Sequence, residues 1–167
     1  MYEFGAKISV SMFQKFTRVE RLSWNNYNEG LDLIDQIEQH KERYGTYPEV
    51  VCADKIYRTR TNVEYCTARG IRLSGPKLGR PHKEEAQRQA DRKIERNDER
   101  RRVVIEGKFG EVKTRYSLSR IERRLKETSE SAIMMIFLVA NLMVILRSRL
   151  RDIFVLFFDL FTNLILN

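Results

Sequence analysis

Four apolar residues, Val50-Val51-Cys52-Ala53, follow Pro48 closely and stop at the carboxylate of Asp54. A short unbroken apolar run of this kind reads as a strand buried on both faces, the strand type of an open α/β sheet. Ligands of such sheets gather at the carboxyl ends of the strands, so an acid at that point is placed for chemistry. The flanking pattern agrees. Residues 4–12 alternate, with Phe4, Ala6, Ile8, Val10 and Met12 apolar, and predict a half-buried strand. A turn at Phe13-Gln14-Lys15 leads to a second strand over residues 16–24. Asn28 caps a helix whose stripe is Leu31, Leu33, Ile34, Ile37 and Tyr44, and Gly45 stops it. Residues 61–69 predict another helix ending at Gly70, followed by the strand Ile71-Arg72-Leu73. The expected fold class is therefore α/β, a mixed sheet of about four strands with flanking helices.

A second acid carries its own spacing. In Arg102-Val-Val-Ile-Glu106-Gly-Lys-Phe-Gly-Glu-Val-Lys113, the arginine lies four residues before Glu106 and the lysine seven after it. On a helix of 3.6 residues per turn all three share one face. A carboxylate between two cations suits a site that holds a divalent metal and a phosphodiester together, and it also suits a solvated face with an ordinary i, i+4 Arg–Glu pair. Gly107 and Gly110 each weaken that helix by about 1 kcal/mol against Ala. They are consistent with close approach of DNA or with a helix that ends early.

Charge supplies context. The net charge is +8, and residues 77–126 hold 17 Lys and Arg against 9 Asp and Glu, so the rest of the chain is neutral. A neutral body with a basic stripe around Glu106 points to a polyanion, most simply nucleic acid. Residues 74–81 read as a loop and 82–98 as a solvated helix or an insert. Residues 117–126 predict a helix, and Ser129 caps another that is apolar all round over 132–146, as a buried core helix is. After Arg147, Arg149 and Arg151, residues 153–166 are apolar again. Two such runs could form a membrane hairpin, although Asn141 and Asp159 would then lie at membrane depth, where polar groups are expensive. Cys52 and Cys66 read as reduced packing residues, and neither His40 nor His82 has a partner at metal-ligand spacing. The first residues lack the basic and apolar regions of a secretory signal.

The R-x(3)-E-x(6)-K pattern resembles the third-carboxylate signature of DDE transposases from bacterial insertion sequences, enzymes with an RNase H-like catalytic core. That signature has a Tyr three residues before the Arg, where this chain has Glu99. Residues 53–62, Ala-Asp-Lys-Ile-Tyr-Arg-Thr-Arg-Thr-Asn, resemble the family's second-Asp strand and following turn. Residues 106–118 resemble its Glu-bearing helix. Thr128-Ser129-Glu130 with residues 137–142 resembles its closing helix. The likeness spans residues 3 to 147.

It implies a partial RNase H-like fold over 1–147, with a charged insert or linker at about 75–98 and an apolar helical tail over 148–167 outside the match. It implies metal-dependent cleavage and strand transfer of DNA, with Asp54 and Glu106 as catalytic metal ligands for Mg2+ or Mn2+. Lys55, Arg58, Arg60, Arg102, Lys108, Lys113 and Arg115 become the candidate DNA contacts. The partners expected are transposon ends and target DNA, together with further copies of the chain, and the expected location is cytoplasmic. The family's first Asp belongs on a strand before residue 4, and neither Glu3 nor Glu20 occupies that position. The chain is thus expected to be a C-terminal fragment, lacking the N-terminal DNA-recognition part, with two of three ligands and no catalysis alone. Two rival readings stand beside this one: a non-catalytic basic nucleic-acid-binding protein, and a small membrane protein with a C-terminal hairpin.

Overall fold

The structure, a computed structural model, describes residues 5–75, 84–122 and 125–165. The alternating segment forms β1 (Lys7–Phe13) and β2 (Phe16–Ser23), which pair in a two-stranded sheet. Gln14 and Lys15 between them take φ of 49° and 74°, the positive values that a two-residue hairpin turn needs to match strand twist. The expected strand start at Phe4, residues 76–81 of the expected loop, and His82 lie outside the described residues.

Asn28 opens the next element. Its side chain accepts from the Gly30 N–H at 3.0 Å and starts a 3-10 turn, Glu29–Leu31, that runs into α1 (Asp32–Tyr44). Gly45, at φ 77°, ends α1 by donating its N–H to Lys41 O. Leu33 and Ile37 are buried as the stripe requires, but Leu31 is exposed. It sits in the 3-10 turn, whose tighter winding carries it off the α-helical stripe.

β3 (Val50–Val51), α2 (Arg60–Ala68) and β4 (Arg72–Leu73) follow, with β3 parallel to β4 and Val50 opposite Arg72. The expected single sheet of about four strands is two separate two-stranded sheets among the described residues. Chemistry at the strand ends explains the short parallel pair. The Ala53 N–H, which a longer ladder would use, donates to Ser74 Oγ at 3.0 Å. Residues 50–53 are accordingly half-buried rather than enclosed on both faces, because only β4 flanks β3.

α3 (Glu85–Arg115) runs unbroken through Gly107 and Gly110. The helix expected over 117–126 is absent from its described part: α3 stops at Arg115, Ser117 takes φ 58°, and turns lead on to α4. α4 (Lys126–Ile165) is one helix of 40 residues. Ser129 is therefore not a cap; it is buried on the first turns, with Oγ donating to Leu125 O at 3.0 Å. Continuity through Arg147, Arg149 and Arg151 rules out a hairpin of two apolar helices. The expected fully buried core helix also differs, since Met134, Met135, Leu138 and Leu142 are exposed.

The chain divides into two compact units. One takes in the described residues of 1–9 and 23–110, and the other those of 10–22 and 111–167. In the first, Leu33, Ile37, Cys66 and Ile71 form the core, with Val51, Ala53, Tyr57 and Leu73 against it. Burying each large aliphatic side chain contributes about 1.5–3 kcal/mol. In the second, Val112, Ile133, Phe137 and Ala140 are buried. There Asn141 joins α4 to β2: its Oδ1 accepts from the Thr17 N–H at 2.9 Å and its Nδ2 donates to Thr17 O at 2.7 Å.

Asn62 does a comparable job in the first unit. It is 2% exposed, and Nδ2 donates to Gly30 O at 2.7 Å and Tyr57 O at 2.8 Å. Gly30 has no room for a side chain, because a Cβ there would stand 2.7 Å from Ile56 O. Asn62→Ala leaves two carbonyls without their donor and is expected to cost about 1–3 kcal/mol. Gly30→Ala is expected to cost a similar amount, about 1–3 kcal/mol, through overpacking. Urea unfolding measures both, and a loss for Asn62→Ala below a few tenths of a kcal/mol would contradict the bridge.

Glu38 on α1 yields a pH signature. Hydrogen bonds from Tyr65, then Tyr47, with the Arg69 guanidinium adding charge, hold the Glu38 carboxyl below its ordinary 4.5. A carboxylate depressed in the folded state stabilises it above the unfolded value, and the contribution disappears as pH falls through the lower folded value. The stability gap between the wild-type chain and Tyr65→Phe is therefore expected to narrow on acidification below pH 4.5. Parallel loss in both proteins, followed by denaturant midpoints from pH 7 downward, would show that the pair contributes nothing.

Candidate functional site

Asp54 emerges from the carboxyl end of β3 and caps a short 3-10 turn, Lys55–Tyr57, with its side chain accepting from the Lys55 N–H at 2.6 Å. Four bonds hold this turn and the residue after it. Tyr57 N–H donates to Asp54 O, and Asn62 Nδ2 donates to Tyr57 O. Arg58 then reaches back across the strand ends, its Nη1 donating to Leu73 O at 3.0 Å and Ser74 O at 2.8 Å. Thr59 caps α2 through the Asn62 N–H at 3.2 Å. The carboxylate of Asp54 thus projects from a loop tied to both strands and to α2, and it is exposed.

Glu106 comes to the same region through the register of α3. Asp98 on α3 is 4% exposed and takes a two-pronged contact from the Arg72 guanidinium on β4, with Nη2 to Oδ1 at 2.8 Å. That hydrogen bond also raises Arg72 above the usual arginine range. One turn later on the same face is Arg102, and one turn beyond that is Glu106. Arg102 Nη1 lies 3.4 Å from Asp54 Oδ1, and Nε lies 3.3 Å from Glu106 Oε1. The second contact is an ion pair without hydrogen-bond alignment, because the shielded Nε has no hydrogen-bond partner. Glu99 adds a third carboxylate, 3.5 Å from Nη2. One guanidinium therefore gathers acids from two segments 45 to 52 residues apart in sequence.

The other candidates are placed as follows. Lys55 is exposed beside Asp54. Arg58 is half-buried and committed to backbone carbonyls. Arg60 is exposed and pairs with Glu64 at 3.0 Å. Lys108 is half-buried on α3. Lys113 and Arg115 end α3 in the second unit, Lys113 exposed and Arg115 3.9 Å from Glu111, which also holds Arg147 at 2.8 Å. Arg102, expected as a phosphate contact, is engaged by carboxylates. The spacing of Asp98, four residues before Arg102, was the available signal for the missed Arg72–Asp98 pin, and Asn62 carried no sequence signal beyond its helix-start position.

A divalent cation can be tested against this donor set. Among the described residues no group of three or more His, Cys, Asp or Glu side chains could hold a metal ion. Asp54 and Glu106 nevertheless fit a hard ion, because Mg2+ is held by one or two carboxylates and completes its shell with water and substrate phosphate. Arg102 already lies between them as a positive charge. Cys52 does not join: burial, with Asp98 adding to it, pushes its thiol up, which makes it a poor ligand or nucleophile.

A family model described as "Transposase DDE domain" matches residues 51–143, more than half of the chain. The match begins on β3, includes Asp54 and Glu106, and ends within α4. No curated protein and no solved structure matches the chain.

Exposed ion pairs are worth about 0.2–1 kcal/mol each and are screened by salt. Arg102→Gln should therefore lower stability by no more than about 1–2 kcal/mol at low ionic strength. The deficit should vanish in 1 M NaCl, where the Debye length is about 3 Å. Denaturation at the two salt concentrations checks this, and a large salt-independent loss would mean that Arg102 packs rather than bridges.

Proposed function

The chain belongs to the transposase DDE domain family, and from that premise we propose that Asp54 and Glu106 are its metal-holding carboxylates and that its ligand is the phosphodiester backbone of DNA. The family's process is DNA transposition. The observation that carries the assignment is the shared guanidinium: Arg102 stands within 3.4 Å of an oxygen of each acid. Two anions on separate segments repel unless a cation lies between them, so the backbone that gathers them is one prepared for positive charge.

A divalent ion bound here, Mg2+ or Mn2+, supplies Lewis-acid polarisation of the scissile phosphate and activation of the attacking oxygen. The chain's own residues do the rest. Asp54, held by the 3-10 turn and by Arg58, offers oxygens with little freedom to reorient. Glu106 is delivered by a helix whose register Asp98 sets. Arg102 would turn to a phosphate oxygen were a cation held by the two acids. Lys55, Arg60, Lys113 and Arg115 are exposed along the same segments and neutralise backbone charge without reading bases. Gly107 and Gly110 have open space where a Cβ would stand, which lets a sugar-phosphate backbone come close to the helix. A DNA partner supports the reading of a cytoplasmic protein.

The test separates metal from DNA. Mn2+ binding to the full chain, followed by titration calorimetry, is expected to weaken at least tenfold in Asp54→Asn and in Glu106→Gln, and to strengthen in Arg102→Gln. DNA binding should survive all three and lose about one unit of salt slope for Lys113→Gln. Mn2+ affinity indifferent to both acids would sink the metal assignment. DNA affinity that depends on the acids but not on salt would sink the backbone assignment. A metal-dependent nick in supercoiled plasmid, abolished by Asp54→Ala, would show in addition that the chain cleaves DNA by itself.

A further inference from the structure

The first half of α3 is sorted by charge around its axis. At 3.6 residues per turn, Arg92, Lys93, Arg96 and Arg100 fall within an arc of about 100°. Asp91, Glu95, Asp98, Glu99 and Glu106 fall within the adjoining arc of about 100°. The middle of the basic arc lies opposite Asp98, the residue that α3 buries. All four cations are exposed, and none is held in an ion pair among the described residues. Glu95 and Glu99, three residues after Arg92 and Arg96, leave those arginines alone, and Glu99 is engaged by Arg102.

A solvated charged helix has a different pattern, in which opposite charges at i, i+4 stabilise one another. Arg92, Arg96 and Arg100 stand at successive i, i+4 positions, where like charges repel. Such a ridge weakens the helix that carries it, and a bound polyanion removes the repulsion.

We propose that Arg92, Lys93, Arg96 and Arg100 form a second phosphate-contact surface, which holds the backbone of double-stranded DNA beyond the metal site. The inference rests on the DNA ligand proposed above and adds where the duplex runs. From Arg92 to Arg100 the helix rises about 12 Å, and phosphates of one strand succeed one another about every 3.4 Å along the duplex axis. The ridge therefore faces about three or four of them. Arg92 precedes Glu106 by 14 residues, about 21 Å of helix, so a duplex lying along α3 is gripped roughly six base pairs from the phosphate at the acids. The face between is open. Val103, Gly107 and Gly110 continue the basic arc without an acid, and both glycines have free space where a Cβ would stand. An acidic polypeptide is the rival ligand, but its carboxylates have no fixed rise to match three evenly spaced arginines.

Fluorescence anisotropy of the full chain on a labelled duplex, in EDTA and from about 50 to 300 mM NaCl, tests the ridge without the metal site. Arg92→Gln, Arg96→Gln and Arg100→Gln combined are expected to weaken binding at least about tenfold and to lower the salt slope by about 2.7, roughly 0.9 per contact. Removing the same charge elsewhere, by Lys15→Gln, Arg18→Gln and Arg149→Gln, is expected to cost less than about threefold. Arg96→Glu alone is expected to weaken binding about tenfold yet to melt no lower than the wild type, because it relieves the repulsion. Equal losses in the two triple variants overturn the proposal. Tighter binding of polyglutamate than of duplex at equal ionic strength overturns it in favour of a protein partner. A ridge variant that binds like the wild type, while Lys113→Gln still lowers the slope, overturns this inference alone. A wild-type chain that binds no duplex overturns the proposed DNA ligand as well.

Discussion

A carboxylate removed from water must find a cation or lose its charge, and Asp98 finds Arg72. The pair joins the shorter of the two sheets to a helix of 31 residues. Because the helix is rigid, one contact sets the position of everything on the same face. Arg102 follows by one turn and Glu106 by two, so the alignment of the acids at the strand end derives from a bond that touches neither of them. Burial of Asp98 makes this contact specific: a slip of α3 by one residue would leave the buried charge without its cation, at a cost of several kcal/mol. The Arg58 and Asn62 bonds perform the same service for the loop that carries Asp54.

The resulting patch has an unusual charge balance for a chain of net charge +8. Three acids surround one arginine, while basic residues dominate the rest of residues 77–126. A negative spot within a positive stretch is the field a site needs if it must attract a polyanion and also concentrate a divalent cation. Neither requirement alone explains the pattern. A purely basic surface would bind DNA without holding an ion, and an isolated acid pair would repel the backbone it must act upon.

α4 shows a different economy. One face supplies the core of the second unit and the ring of bonds at Thr17, while another remains apolar and uncovered well past the last buried residue. The Arg147–Glu111 ion pair ties α4 to the end of α3.

Local chemistry made several elements legible. Asp54 could be placed because a carboxylate ends an apolar run. Gly45 and Gly70 mark helix ends because both need the left-handed conformation, at φ 77° and 70°. Asn28 and Thr59 have the side-chain oxygens that satisfy free N–H groups at a helix start. Other features were opaque for equally physical reasons. Glycine propensity allowed a break at Gly107 and Gly110, yet α3 is held by the Arg72–Asp98 pair before them and by buried Val112 after them, contacts that outweigh about 1 kcal/mol per glycine. Charges at 147, 149 and 151 looked like a boundary, although a helix tolerates arginines on its outer face. Propensity and pattern are properties of neighbouring residues, and so the sequence alone determined the order of strands and helices as far as β4, the acid at the strand end and the spacing around Glu106. Which acids share a cation, how short the parallel ladder is, and which side of α4 is covered were decided only by the tertiary structure, because each depends on groups brought together from tens of residues apart.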